Sequence, residues 1–386
     1  MEDKRQDATT GLTRRDLFRL GTCGACGLML SGVPGTARQA RAQSARKGFI
    51  RTFRSPLFTA EAGNHVRCDL CPRRCRIAPG ERGQCQVREN RDGRGYSLVY
   101  GNPCVVQVNP IERVPFFHVV PESRSLSVAT AGCNLSCKFC EVWETALVSP
   151  EEVHAYDMGP AAIVKTAEES KVRSIAYTFG EPVVFYEYMA RTAVRARRAG
   201  ILNLFHSAGY IRPDPLRRLA EYLDAANIDL KGWDEAFYRE VVGGERAPVL
   251  EALQILKEAD AHLEITVPLI PSLNDDMGQI GEMVRWIMGE LGPDVPVHFS
   301  RFHPLYKLAN LPSTPVSTLA RAREVAREAG LRYVYIARVP GHEAANTFCA
   351  HCNERIIARV GFMIREMHIE DGKCGHCGGA LPGIWA

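Results

Sequence analysis

Apolar and polar positions divide this chain into unequal parts. From residue 125 onward, short apolar runs recur at Leu126–Ala131, Ser174–Phe179, Leu202–Phe205, Ala226–Leu230, Leu263–Ile270 and Val295–Phe302. Runs of this length, bounded by polar turns, predict buried strands. Between them, apolar residues return at helical spacing over Ala161–Lys171, Phe185–Ala199, Pro215–Leu223, Val249–Ala259, Ile280–Leu291 and Thr318–Ala329. Such a stripe is what a helix needs to cover a sheet. Leu331–Ile336 offers one further strand. Six strand–helix units in succession predict an α/β fold, a partial (β/α)6 barrel of the TIM type over residues 125–345. Upstream, alternation around Leu98–Val108 predicts a strand pair that ends an N-terminal segment over 43–124.

The cysteines change this picture most. Composition is otherwise that of an ordinary globular protein, 46% hydrophobic and 24% charged, but there are fourteen cysteines and they fall in clusters. Cys133, Cys137 and Cys140 form a C-x3-C-x2-C array directly after the first barrel strand. That places them on the loop leaving the strand's C-terminal end, where barrels and open sheets keep their chemistry. Three thiolates on so short a loop can face one cubane iron–sulfur cluster and leave its fourth iron open to a ligand. A structural zinc site completed by a distant residue is the alternative.

A second cluster holds Cys68, Cys71, Cys75 and Cys85 within eighteen residues. Four thiolates there suit zinc or an auxiliary iron–sulfur cluster, and in an exported protein they suit disulfides. The third cluster is Cys349-x2-Cys352 and Cys374-x2-Cys377, separated by twenty-one residues, within 346–386. Paired knuckles at this separation are the zinc-ribbon pattern, and four cysteines satisfy zinc without His351 or His376. Cys104 stands alone and reads as a small buried hydrophobe; His118, beside Phe116 and Phe117, reads as structural.

Polar residues punctuate the strand ends. The second strand finishes in Gly180-Glu181, and the fourth carries Asp229 and Lys231, two apart and therefore on one face. Burying that pair is costly unless its members meet each other or a charged ligand. On the sixth strand His298 is a candidate for the cavity, with Arg301 and His303 nearer the strand's end.

Net charge is +4, and residues 1–42 carry seven Lys/Arg against four Asp/Glu. The remainder is therefore near +1, which speaks against a nucleic-acid surface. No apolar run reaches the length of a transmembrane helix. Thr13-Arg14-Arg15-Asp16-Leu17-Phe18, the apolar stretch Leu20–Val33 and Ala40-Arg41-Ala42 resemble a twin-arginine export signal with a cleavage site. Export to the periplasm is expected on that pattern, with a cytoplasmic location and a basic tail as the alternative. Cys23 and Cys26 lie in this leader and are given no chemistry.

The C-x3-C-x2-C array resembles that of the radical S-adenosylmethionine (radical SAM) enzymes. Cys-Asp-Leu-Cys-Pro (68–72), Asn-Pro-Ile-Glu-Arg (109–113), Gly-Cys-Asn (132–134), Asn-Ile-Asp-Leu-Lys (227–231), Glu-Ile-Thr (264–266), Pro-Ser-Leu-Asn-Asp (271–275) and Pro-Gly-Ile-Trp (382–385) extend the resemblance. In that order they are similar to the radical SAM member of the AmmeMemoRadiSam set, related to the pyruvate formate-lyase activating enzymes. The resemblance implies a [4Fe–4S] cluster on Cys133, Cys137 and Cys140 that cleaves S-adenosylmethionine to a 5′-deoxyadenosyl radical. It also implies Phe139, Gly180, Glu181, Asp229, Lys231 and His298 as neighbours of the cosubstrate. A protein or peptide substrate, a flavodoxin or ferredoxin reductant, and Memo-like or AMMECR-like partners follow from the same kinship. Two places depart from the family: Glu141-Val142 stands for Gln-Asn, and His206-Ser207-Ala208 for Ser/Thr-Asn-Gly. A non-catalytic electron-transfer or metal-binding protein is the rival class.

Overall fold

The computed structural model describes residues 44–386. The arginine-pair leader, with Cys23 and Cys26, lies outside the described residues. The dominant element is one sheet of eight strands: β1 (Val105–Pro110), β2 (Arg124–Ala129), β3 (Ser174–Tyr177), β4 (Leu202–Ser207), β5 (Ala225–Asp229), β6 (His262–Leu269), β7 (Val297–Arg301) and β8 (Val334–Ala337). Strands β2 to β8 are parallel and lie in chain order, and β1 pairs antiparallel with β2 at the edge. Its two outer strands, β1 and β8, are not paired with each other. The sheet is thus a barrel left open, as expected for an α/β chain of this pattern.

Six helices make the crossovers: α1 (Pro160–Glu169), α2 (Tyr186–Arg198), α3 (Pro213–Ala220), α4 (Ala247–Glu258), α5 (Met277–Glu290) and α6 (Val316–Glu328). Strands covered on both faces need no alternation, which is why all four residues of β3 are buried. Helix starts are also local in origin. Proline occupies the first turn of α1 and α3, and the Asp276 carboxylate accepts the Gln279 N–H at 2.9 Å to cap α5.

One expectation is corrected. Leu98–Val108 does not form a strand pair of its own: Leu98 lies just past a hairpin, and only Val105–Val108 is in a strand. Arg88–Arg91 and Arg94–Ser97 make a hairpin, turned by Asp92 and Gly93 at φ +47° and +78°, as a two-residue type I′ turn requires. Val105–Pro110 instead becomes β1 of the barrel sheet. Alternation reports a half-buried strand, not its partner.

Two appendages close on the barrel. The N-terminal one is tied by Arg88, which donates to the Glu187 carboxylate on α2 at 2.8 and 2.9 Å and to Ser55 Oγ at 2.8 Å. Both charged residues are buried. The C-terminal one is a three-stranded sheet (Thr347–Phe348, Arg355–Val360, Met363–Met367). Its tail covers the N-terminal ends of the barrel strands: the Ile384 N–H donates to the His118 carbonyl at 2.8 Å, and buried Arg359 donates to the Phe117 carbonyl at 2.9 Å.

Breaking a buried ion pair leaves one charge unsolvated. Glu187→Ala is therefore expected to destabilise the protein by about 3–5 kcal/mol, seen as a lower midpoint in urea unfolding. An unchanged midpoint would show that Arg88 finds water or another acceptor.

Candidate active site

β2 ends at Ala129, and the loop after it carries the three clustered cysteines. This loop has little core of its own, so its backbone is held by its surroundings. The Ser136 and Lys138 N–H groups donate to the carbonyls of Val242 and Val241 at 3.0 and 2.9 Å. Asn134 Nδ2 donates to the Tyr210 carbonyl at 2.7 Å. The two acceptor carbonyls come from a π-helical turn, Tyr238–Val242, closed by Gly243 at φ +77°. A Cβ on Gly243 would lie 2.1 Å from Ser136 Oγ, so the approach requires glycine.

Burial pushes the thiol of Cys133 well above its ordinary range, with the Glu181 charge adding to it. Burial likewise pushes Cys137 up to about 11 despite Lys231, and it raises Cys140. Thiols so desolvated ionise readily only when a cationic centre compensates them. Three soft donors around a dry loop therefore fit an iron–sulfur cluster better than they fit free thiolates.

Around this loop the strand ends present charge. Glu181, after β3, is buried and accepts from Ser207 Oγ at 2.6 Å, the Ala208 N–H at 3.0 Å and the Val183 N–H at 3.1 Å. Burial raises its pKa against those donors. Phe179, just before Gly180, takes φ +58°, a conformation that favours glycine; the Arg113 guanidinium lies 5.5 Å from its ring centroid.

Asp229, the last residue of β5, meets Lys231 Nζ at 2.9 Å and His206 Nε2 at 3.1 Å. His206 Nδ1 in turn contacts Thr178 Oγ1 at 2.8 Å. Burial opposes the charged form of Asp229, but Lys231 and then His206 outweigh it and hold the carboxyl well below its usual range. Burial works against the Lys231 ammonium too, and Asp229 and Cys137 overcome it. Lys231 Nζ sits 5.7 Å from the Phe139 ring centroid, and that ring stacks with Phe237 at 6.3 Å. Cys137, Phe139, Asp229 and Lys231 thus share one neighbourhood, joined to Glu181 through Cys133.

His298 is placed elsewhere. Its Nε2 lies 2.6 Å from the buried Glu264 carboxylate, and its ring packs on Phe117 and Tyr335. Glu264 also accepts the N–H groups of Phe117 and His118 at 3.0 and 2.8 Å. This is the plugged end of the barrel, so the imidazole is committed to packing and not to the cysteine loop. Arg301 Nε donates to the Thr314 carbonyl at 2.9 Å. Glu141, one of the departures from the family, pairs with Arg338 beyond β8.

The reading from sequence noted His206 only as a departure from the family and gave Thr178 no role. Thr178 follows β3 and His206 lies next to last in β4; their hydrogen bonds, which only the tertiary structure shows, join them to Asp229 in a row.

At the C-terminus, Cys349, Cys352, Cys374 and Cys377 are the one group, among the described residues, whose ligand atoms all lie within 4.8 Å of one another. Cys349 and Cys377 sulfurs are 3.7 Å apart, and those of Cys352 and Cys374 are 3.8 Å apart. The His351 and His376 N–H groups donate to the first sulfur of each knuckle, at 3.4 Å.

The radical SAM superfamily profile matches residues 127–286. The Methanocaldococcus jannaschii protein MJ0808, itself uncharacterized, is 41% identical over 317 residues, covering 82% of this chain and 94% of its own. A (2S)-3-sulfopropanediol dehydratase activating enzyme of Klebsiella oxytoca is 26% identical over 29% of this chain, which spans 36% of that relative's length. Among solved structures, a radical SAM methyltransferase from Sphaerobacter thermophilus aligns with a TM-score of 0.46 and 18% identity, over 58% of this chain and 68% of that one. The fold and the cysteine loop define an α/β enzyme of the partial-barrel class. The chain belongs to the radical SAM superfamily.

The depressed Asp229 carboxylate stabilises the fold at pH above its ordinary value, and that contribution fades as pH falls toward its folded value. Lys231→Met removes the main counter-charge. The variant is expected to show one protonated-carboxyl band more than the parent in infrared difference spectra as pH falls through about 5. Identical spectra would remove Lys231 as the cause.

Proposed function

We propose that this enzyme generates a 5′-deoxyadenosyl radical and directs it at a protein or peptide backbone, in the manner of an activating enzyme. The observation that carries the reading is the C-x3-C-x2-C loop set beside the Asp229–Lys231 pair at the strand ends, with Lys231 Nζ 2.9 Å from Asp229 and 5.7 Å from the Phe139 ring centroid. A [4Fe–4S] cluster held by those cysteines supplies one electron for the reductive cleavage of S-adenosylmethionine.

The chain's own residues supply orientation and charge. Glu181 is a fixed acceptor, its carboxyl oriented by Ser207, Ala208 and Val183, and so suits an ammonium group. Lys231 and Asp229 offer a cation and an anion already paired, so this end of the barrel meets a zwitterion without an isolated buried charge. Phe139 and Phe237 wall this side against water. A flavodoxin or ferredoxin suits the one-electron supply, and a Memo-like or AMMECR-like protein suits the partner role, both on the strength of the family resemblance.

The C-terminal cysteines are assigned zinc on spacing. A tetrahedron with Zn–S of about 2.3 Å has edges of about 3.8 Å, close to the sulfur separations of 3.7 and 3.8 Å. Its role here is to staple a small sheet against the barrel.

Anaerobic chain, loaded with iron and sulfide and given dithionite and S-adenosylmethionine, is expected to release 5′-deoxyadenosine. Cys137→Ala should abolish the product, and Glu181→Gln should raise KM for S-adenosylmethionine about 10- to 100-fold. Product persisting in Cys137→Ala would overturn the assignment. Cys374→Ser should lose about one zinc per chain while the loaded barrel still cleaves S-adenosylmethionine; full zinc retention would refute the metal assignment.

A further inference from the structure

We propose that Cys68, Cys71, Cys75 and Cys85 hold a second iron–sulfur cluster, placed to pass electrons to the barrel loop. The four cysteines do not close on each other as the C-terminal set does. Among the described residues only that set draws its sulfurs within 4.8 Å. The N-terminal four line a recess, partly open to solvent, together with Arg73, Arg88 and Asn134. Four thiolates gathered on one zinc ion at about 2.3 Å stand about 3.8 Å apart, closer than these sulfurs are drawn. A cubane sets irons and sulfides between its thiolates and holds them farther apart.

The recess also holds an unspent donor. Arg88 is 1% exposed and lines it. Its Nε–H finds no acceptor among the described residues, a costly state for a buried group. A cluster sulfur would satisfy it.

Position supplies the role. A Cβ on Gly132 would lie 2.7 Å from the Cys85 carbonyl oxygen, so Cys85 packs directly behind the residue preceding Cys133. Asn134, on the other side of Cys133, lines the recess, and Arg73, between Cys71 and Cys75, donates to its carbonyl. Both chain neighbours of Cys133 therefore touch the N-terminal site. One electron from a low-potential one-electron donor would reduce this cluster, which is reoxidised as the barrel cluster is reduced; no bond is made or broken. The site stands on its own residues, while the electron transfer rests on the radical SAM reading above.

The test uses the full chain purified without oxygen, with iron, sulfide and zinc counted. The triple variant Cys133→Ala, Cys137→Ala, Cys140→Ala is expected to keep about four irons and four sulfides per chain, with an electron paramagnetic resonance signal indifferent to S-adenosylmethionine. A second zinc in place of that iron, or no cluster at all, would overturn the proposal. Should the triple variant fail to fold, Cys71→Ala in the parent chain is expected to lower iron from about eight to about four per chain and leave a signal that responds to S-adenosylmethionine. Parent chain with about four irons, all responsive, would overturn it equally. Both clusters reduced together should give a spectrum broadened by spin coupling; a plain sum of two signals would refute the electron path. Iron confined to the N-terminal site of the parent would refute the barrel cluster and leave this one standing.

Discussion

The structure depends on holding a short, coreless loop of thiols rigidly at the end of β2. Nothing within Cys133–Cys140 could fix its shape, because most of its backbone groups have no partner inside the loop. The partners come from the connection after β5, where a π-helical turn presents the Val241 and Val242 carbonyls to Ser136 and Lys138. Such turns free carbonyls that a regular helix would consume. Glycines at 132 and 243 admit the close approaches. The N-terminal appendage adds the contacts of Arg73 and Cys85. Barrel, π turn and cysteine-rich lobe are thereby built around one loop.

The barrel buries charge at both ends, with opposite consequences. At the plugged end, Glu264 is 0% exposed and its acceptors are met by His298 and two backbone N–H groups. A sealed, multiply hydrogen-bonded carboxylate there serves the packing of the C-terminal tail. At the cysteine end, Asp229 keeps 23% side-chain exposure, and its partners Lys231 and His206 stand beside the loop. A pair that is neutral overall yet still accessible suits a zwitterionic guest. The same chemistry of carboxylate and histidine thus makes a plug below and a site above.

Sulfur spacing separates the cysteine clusters in the same physical way. The ribbon sulfurs lie at the edge length of a zinc tetrahedron. The N-terminal sulfurs surround a recess, with a buried arginine facing it. Donor type is identical in the two places; what differs is how closely the backbone draws the sulfurs together.

Much was legible in the residues alone. Strand and helix boundaries agree with apolar runs to within a few residues, because strands buried on both faces and amphipathic helices are local patterns. The C-x3-C-x2-C loop and the paired knuckles were equally plain, since metal ligation constrains spacing along the chain. The Leu98–Val108 alternation misled about partners: a half-buried strand looks the same whichever sheet receives it. His298 misled about place, because an inward-facing histidine near the head of β7 has the same local pattern whether it meets a cavity or Glu264. Thr178, His206 and Asp229 come from the ends of three neighbouring strands, and only their side-chain contacts make them a row. The sequence by itself determined the element order and the ligand types. Tertiary structure alone decided which charges meet, which end of the barrel is sealed and how far apart the sulfurs stand, since these depend on distances between segments remote in the chain.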